Sequence, residues 1–143
     1  MSIDWETCKA ERLAKPVQSD KEMIISLIKL ANDREKTASL LPINDVTKET
    51  VISLLYDVSR ELLEALALKH GYKIYNHECY TPFLRVIIND EQFALEFDSL
   101  RKLRNGINYY GKKIELRDAS RIASTTKLLI SKARERLGIT PSD

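Results

Sequence analysis

Glycine and proline are scarce in this chain, four of each in 143 residues. Sandwiches and barrels consume many turn residues, so an all-β fold is poorly served by this composition. Long apolar runs are missing as well, and none approaches the roughly 20 residues of a membrane-spanning helix. The opening stretch, MSIDWETCKAERLAK, lacks the apolar core and small-residue cleavage site of a secretory signal. Two cysteines, Cys8 and Cys79, cannot build a dense disulfide framework. One bridge between them is open to the chain, but inert thiols in a reducing cytoplasm are the expectation. Histidine is limited to His70 and His77. The run His77-Glu78-Cys79 falls short of the three or four converging groups that hold zinc, so neither a metal nor any other cofactor is expected.

What is present favours helix. Hydrophobic residues make up 43% and charged residues 31%, a balance suited to amphipathic helices with solvated outer faces. The length fits a single domain over 1–143, with no repeat and no linker. The net charge of +2 conceals an asymmetry. From Arg101 to Arg136 there are eleven Lys and Arg against three Asp and Glu, whereas the rest of the chain is net acidic by six. Such a segment either steers an anion or nucleic acid to one face or is simply a solvated helix surface.

The apolar period is helical almost throughout. A short segment over Ile3–Leu13 ends before Lys15-Pro16. Ser19 and Glu22 have capping-box spacing ahead of a helix carrying Ile24, Leu27, Ile28, Ala31 and Ala38. A longer helix, from Asn44 or Thr47 to His70, buries Val51, Leu54, Leu55, Val58, Leu62, Ala65 and Leu66. Thr81-Pro82 opens a shorter helix towards Ile88. A further one carries Phe93, Phe97, Leu100, Leu103 and Ile107 up to Gly111, and the last spans Leu116–Leu137. Tyr72, Tyr75 and Tyr80 are expected to pack between helices. Short connections make sequence neighbours antiparallel, so the expected fold is all-α, an up-and-down bundle of about five helices.

The informative stretch is Leu100 to Lys113, LRKLRNGINYYGKK. Arg104 lies among Leu100, Leu103 and Ile107, so its stem runs close to the core. A guanidinium placed there needs a carboxylate, a carbonyl or an anionic ligand. Gly106 inside a helix costs about 1 kcal/mol relative to alanine and points to close approach by another helix or a ligand. Asn108 lies about 40° around the helix from Arg104 and Tyr109 about 140° away. Tyr109 is therefore expected to join Arg104 only if the backbone loosens near Gly106 or a second chain supplies it.

At this stretch the sequence resembles the HEPN-domain proteins, in particular the small prokaryotic ones found beside minimal nucleotidyltransferases. The resemblance runs over Ser19 to Leu137. Long helices precede YDVSRELLEALALKHGYKIYNHECYTPFL, LRKLRNGINYYG takes the place of the signature helix, and a basic helix follows. It implies a HEPN-like bundle that forms a homodimer, with two signature helices meeting in a cleft. Many family members are metal-independent ribonucleases whose signature Arg, often followed by Asn, holds a phosphate and whose later His activates a ribose hydroxyl. Arg104 and Asn105 match the first half. The second half is absent, since no histidine follows Arg104 and the corresponding positions hold Asn108, Tyr109 and Tyr110.

The resulting expectation is a degenerate, non-catalytic HEPN protein. It would pair with a nucleotidyltransferase in a toxin–antitoxin-like system and bind nucleotide or RNA phosphate at Arg104 and Asn105, with Asn108, Tyr109 and Tyr110 nearby. Two alternatives stand beside it. One is a metal-independent endoribonuclease that takes a tyrosine or a distant histidine for its proton chemistry. The other is a purely structural interaction module.

Overall fold

Three- and four-residue apolar spacing gives the central helix of this protein an unusually wide buried surface. That helix, α3, covers Lys48–Lys69 and encloses fourteen side chains, among them Val51, Leu55, Val58, Leu62 and Leu66. A helix buried on so much of its circumference is stable only when other elements surround it. The computed structural model, which describes residues 2–140, shows how they do so. The expected domain span of 1–143 runs past both ends of that range.

Before α3 come α1 (Trp5–Ala10), β1 (Ala14–Pro16) and α2 (Lys21–Ser39). After it come β2 (Tyr72–Ile74), a 3₁₀ turn at His77–Cys79, α4 (Tyr80–Val86), α5 (Glu91–Tyr110) and α6 (Leu116–Leu137). The fold is thus an all-α bundle. Its long helices fall where the apolar period places them, and the described residues form six helices where about five are expected. α2 and α6 pack most extensively on α3, and α5 touches it along a shorter stretch. None of the described helices is long and apolar enough to cross a membrane.

Helix ends follow local chemistry with some shifts. The cap of α2 is Asp20, whose side chain accepts from the Met23 amide at 3.1 Å, so the start lies one residue beyond the expected Ser19. Thr81 does not cap α4; it sits inside that helix and its hydroxyl donates to Asp98 at 2.9 Å. Gly111 and Gly138 end α5 and α6 in the left-handed region, which glycine enters without steric penalty.

Two features escape the helical period. β1 and β2 form an antiparallel ribbon with Ala14 opposite Ile74 and Pro16 opposite Tyr72. Three residues per strand are too few to display an alternating pattern. In addition, Cys8 on α1 and Cys79 at the 3₁₀ turn are joined by a disulfide, and both are fully buried. The expectation of inert thiols is corrected: burial brings the two sulfurs together in the core, where they bond. Cys79 is thereby unavailable to a metal.

The bridge closes a chain segment with a sequence separation of 71. Constraining a loop of that size restricts the unfolded chain and stabilises a fold by about 2–4 kcal/mol. The double substitution Cys8→Ala/Cys79→Ala should lower unfolding stability by that amount. Denaturant titration of the variant against the oxidised protein checks it.

Candidate functional site

The floor of the site is α3. Its residues Tyr56 and Asp57 face α5 across the bundle, and Arg104 of α5 reaches both. The Arg104 guanidinium lies 5.1 Å over the Tyr56 ring, and its Nη2 donates to Asp57 Oδ1 at 3.4 Å. That is a long contact for a charge-assisted hydrogen bond, which usually spans about 2.7–2.9 Å. Arg104 Nε is buried and makes no hydrogen bond. Of the five N–H donors a guanidinium carries, few are therefore satisfied within the described residues. The carboxylate partner anticipated for a core-edge arginine is present, but it holds the group loosely.

Beside Arg104 is an open cleft of about 430 Å³, bounded on one side by Arg101, Arg104, Asn105 and Tyr109 of α5. On the other side stand Leu13, Tyr75, Asn76, His77 and Glu78. Arg104 and Asn105 are thus brought together as expected. Tyr109 joins them in the same chain although α5 runs without a break through Gly106, which corrects the expectation that loosening or a second chain is required. The reason is helical phase: Asn105 and Tyr109 are four residues apart, so they share the row that lines the cleft.

The other neighbours sort differently. Asn108 accepts from Ser53 Oγ at 3.0 Å and lines a separate groove with Asp57 and Ile107, so it shares the α3-facing side with Arg104 but not the cleft. Tyr110 is 84% exposed and lies outside the cleft lining. Gly106 has a different role from the one expected of it. A Cβ there would meet the Lys112 side chain at 3.2 Å, and the Gly106 carbonyl accepts from the Lys112 amide. The close approach is that of its own chain folding back at the helix end. Tyr80 is core, Tyr72 packs edge-on against Trp5, and Tyr75 is exposed at the cleft instead of packed between helices.

His77 is the residue that sequence reasoning did not place. It reaches the cleft from 27 positions upstream because the ribbon and the 3₁₀ turn carry it there, and no local period signals that placement. Its Nδ1 lies 3.5 Å from the Tyr56 hydroxyl, and its ring packs at 6.2 Å from that of Tyr80. His77 is exposed overall, but part of its ring is desolvated against these aromatic groups, which disfavours the charged imidazolium; Arg60, Arg104 and Arg101 oppose it further, with Asp57 acting the other way. Its pKa is pushed down to about 4. Burial also pushes the Tyr56 hydroxyl up to about 12, so it keeps its proton at neutral pH. The site thus places a loosely held guanidinium, an amide and a neutral imidazole around one opening.

The basic segment proves less naked than its count suggests. Arg101 and Lys102 pair with Asp98, Lys132 and Arg136 with Asp90, and Arg134 with Glu35 at 2.6 Å. All three carboxylates belong to the acidic remainder of the chain. Burial works against the charged Asp98, yet its bonds from Arg101, Lys102 and Thr81 hold its carboxyl below the usual range.

The depressed His77 has a consequence for stability. Between its ordinary pKa of 6.5 and the folded value of about 4, the unfolded chain takes up a proton that the folded chain refuses. Its contribution is therefore fully present above 6.5 and is lost as pH falls through that window. Denaturant midpoints measured across it should decline for the native protein and decline less for His77→Asn. A residual slope is expected from His70, which burial and Lys69 shift in the same direction.

No family model matches the chain, and no curated protein matches it.

Proposed function

We propose that this chain is a HEPN-like helical protein that binds the phosphate of a nucleotide or RNA in the cleft at Arg104 and Asn105. In this reading it works in the cytoplasm as a homodimer and pairs with a minimal nucleotidyltransferase. The observation that carries the binding reading is the state of Arg104. Its one carboxylate contact is long, its Nε is buried without a partner, and its neighbours Asn105 and His77 open onto the same cleft. A phosphate presents several acceptor oxygens to such a fork, and guanidinium–phosphate pairs are among the strongest hydrogen-bonded contacts. Tyr75 and Tyr109, both largely exposed, flank the opening and offer ring faces to a base.

His77 favours the second reading, a metal-independent ribonuclease. The signature helix lacks a histidine, but the cleft does not. A general base must be unprotonated at the working pH, and His77 is. Arg104 would then stabilise charge on the phosphate, while His77 exchanges a proton with a ribose hydroxyl.

Both readings meet in one pair of assays with a labelled oligouridine, in chelator, using native protein, Arg104→Ala and His77→Asn. Helicity is checked for each. For the binding reading, native protein binds with an affinity that falls as salt rises. Arg104→Ala weakens it about ten- to a hundredfold, the range for a hydrogen bond to a charged group. Because three arginines oppose a proton on His77, a bound anion should favour that proton, so affinity rises as pH falls below 6.5. No salt-sensitive binding by folded native protein removes the reading. Cleavage by the native protein that drops about 10²- to 10⁴-fold in His77→Asn establishes the ribonuclease instead.

A further inference from the structure

The two walls of the cleft are held by different means. The α5 wall is anchored by Phe93, Ala94, Phe97 and Leu100 in the core. The facing wall belongs to two chain segments, one running from α1 into β1 and the other from β2 into the 3₁₀ turn. They are joined by the ribbon, by the Tyr75 amide donating to the Leu13 carbonyl at 2.7 Å, by Lys15 over the Tyr75 ring, by Trp5 against Tyr72 and by the Cys8–Cys79 bridge. α1 has six residues, too few for a helix to persist alone. Apart from the bridge, its main hold is Trp5, edge-on to Tyr72 at 5.1 Å and tilted on Phe83 at 5.9 Å. Cys79 is two positions from His77, so the bridge grips the wall next to the residue that faces Arg104.

We propose that Cys8 and Cys79 form a redox latch on the Arg104 cleft, in which the disulfide clamps the wall carrying His77 and the dithiol releases it. The functional effect rests on the anion-binding reading above, whereas the latch itself does not. Release requires a dithiol reductant. One of its thiolates attacks a sulfur of the bridge to give a mixed disulfide, and its second thiol displaces the protein thiol. The reductant leaves as a disulfide, and Cys8 and Cys79 gain two electrons and two protons between them. Both cysteines are fully enclosed, so attack follows local opening of α1 away from Tyr72 and Phe83. In a reducing compartment the resting protein holds the dithiol, and oxidation closes the latch.

The titratable and charged groups facing His77 are Arg60, Arg101 and Arg104, with Asp57 opposing them, the Tyr56 hydroxyl at 3.5 Å and Tyr80, and Glu78 shares its wall. Movement of the wall away from the arginines therefore changes the proton affinity of His77, which supplies a readout that needs no ligand. The test compares full-length protein, air-oxidised and after dithiothreitol, by histidine NMR, amide exchange and binding of labelled oligouridine. Reduction is expected to speed exchange of the α1 amides on the order of tenfold or more. It should also move the His77 midpoint up towards 6.5 and weaken oligouridine binding. Cys8→Ala/Cys79→Ala should show the released behaviour with or without dithiothreitol.

Identical His77 signals and α1 exchange in the two redox states overturn the latch, whatever the RNA does. Global unfolding on reduction of the native protein overturns it too, because the bridge then holds the whole bundle rather than one wall. If the wall responds but oligouridine binds neither form, the latch stands and the anion-binding reading fails.

Discussion

The enclosure of α3 is the constraint on which the rest of this structure depends. A helix with apolar residues around most of its circumference needs neighbours on nearly every side, and the chain supplies α2, α5 and α6 to meet that demand. Some of its polar residues pair within the helix, as Arg60 does with Glu64, and others take partners on those neighbours. Glu61, 1% exposed, takes Arg34 of α2 at 2.7 Å, yet burial still raises its pKa despite that cation. Removing one partner of such a pair leaves an uncompensated buried charge, which costs far more than the pair itself contributes. Asp57, one helical turn earlier along the same strip, meets Arg104 of α5. The candidate site is therefore the place where the polar strip of the central helix reaches the edge of the bundle.

This explains what the sequence discloses and what it withholds. Helical periodicity is a local property, so α2, α3, α5 and α6 are legible from the spacing of residues such as Leu27, Ala31, Leu62 and Leu66. Arg104 is legible for the same reason, since its position among Leu100, Leu103 and Ile107 already sets it against the core edge. His77 is not, because nothing in its own neighbourhood has a period that points to α5. Contacts such as the pairing of Ala14 with Ile74 and the bond between Cys8 and Cys79 carry it there, and they join distant parts of the chain. Tyr109 was within reach of helical arithmetic. Measured from Arg104 it lies on the wrong side of the helix; measured from Asn105 it stands one turn along the same row.

Net charge per segment misleads in a related way. Counting from Arg101 to Arg136 gives a strongly basic stretch, which reads as an electrostatic footprint. In the folded chain Asp57, Asp90, Asp98 and Glu35, all outside that stretch, come back to meet it. The asymmetry along the sequence is largely complementarity between elements of one molecule. What distinguishes Arg104 from the other cations is therefore not the charge around it but the quality of its pairing. Arg134 is more deeply buried and its Nε is likewise unpartnered, but it has Asn32 at 2.7 Å and Glu35 at 2.6 Å, whereas Arg104 has Asp57 at 3.4 Å and an aromatic face. A charge held by short bonds to its own chain is structural; one held loosely beside a cleft has donors left for a ligand.

The two halves of the cleft also differ in how they resist motion, and this bears on any chemistry done there. Precise placement of a guanidinium and an imidazole requires side chains on rigid elements. Arg104 meets that requirement, because α5 is anchored in the core on both sides of Phe97. His77 does so by a less secure route, through a 3₁₀ turn backed by a ribbon of three residue pairs and one covalent bond. Local opening begins where few apolar contacts are lost, and of the six residues of α1 Trp5 and Cys8 are the buried ones. The placement of the histidine against the arginine thus depends on a wall whose outer helix puts Trp5 and Cys8 in the core, and whatever stabilises that wall also sharpens the site.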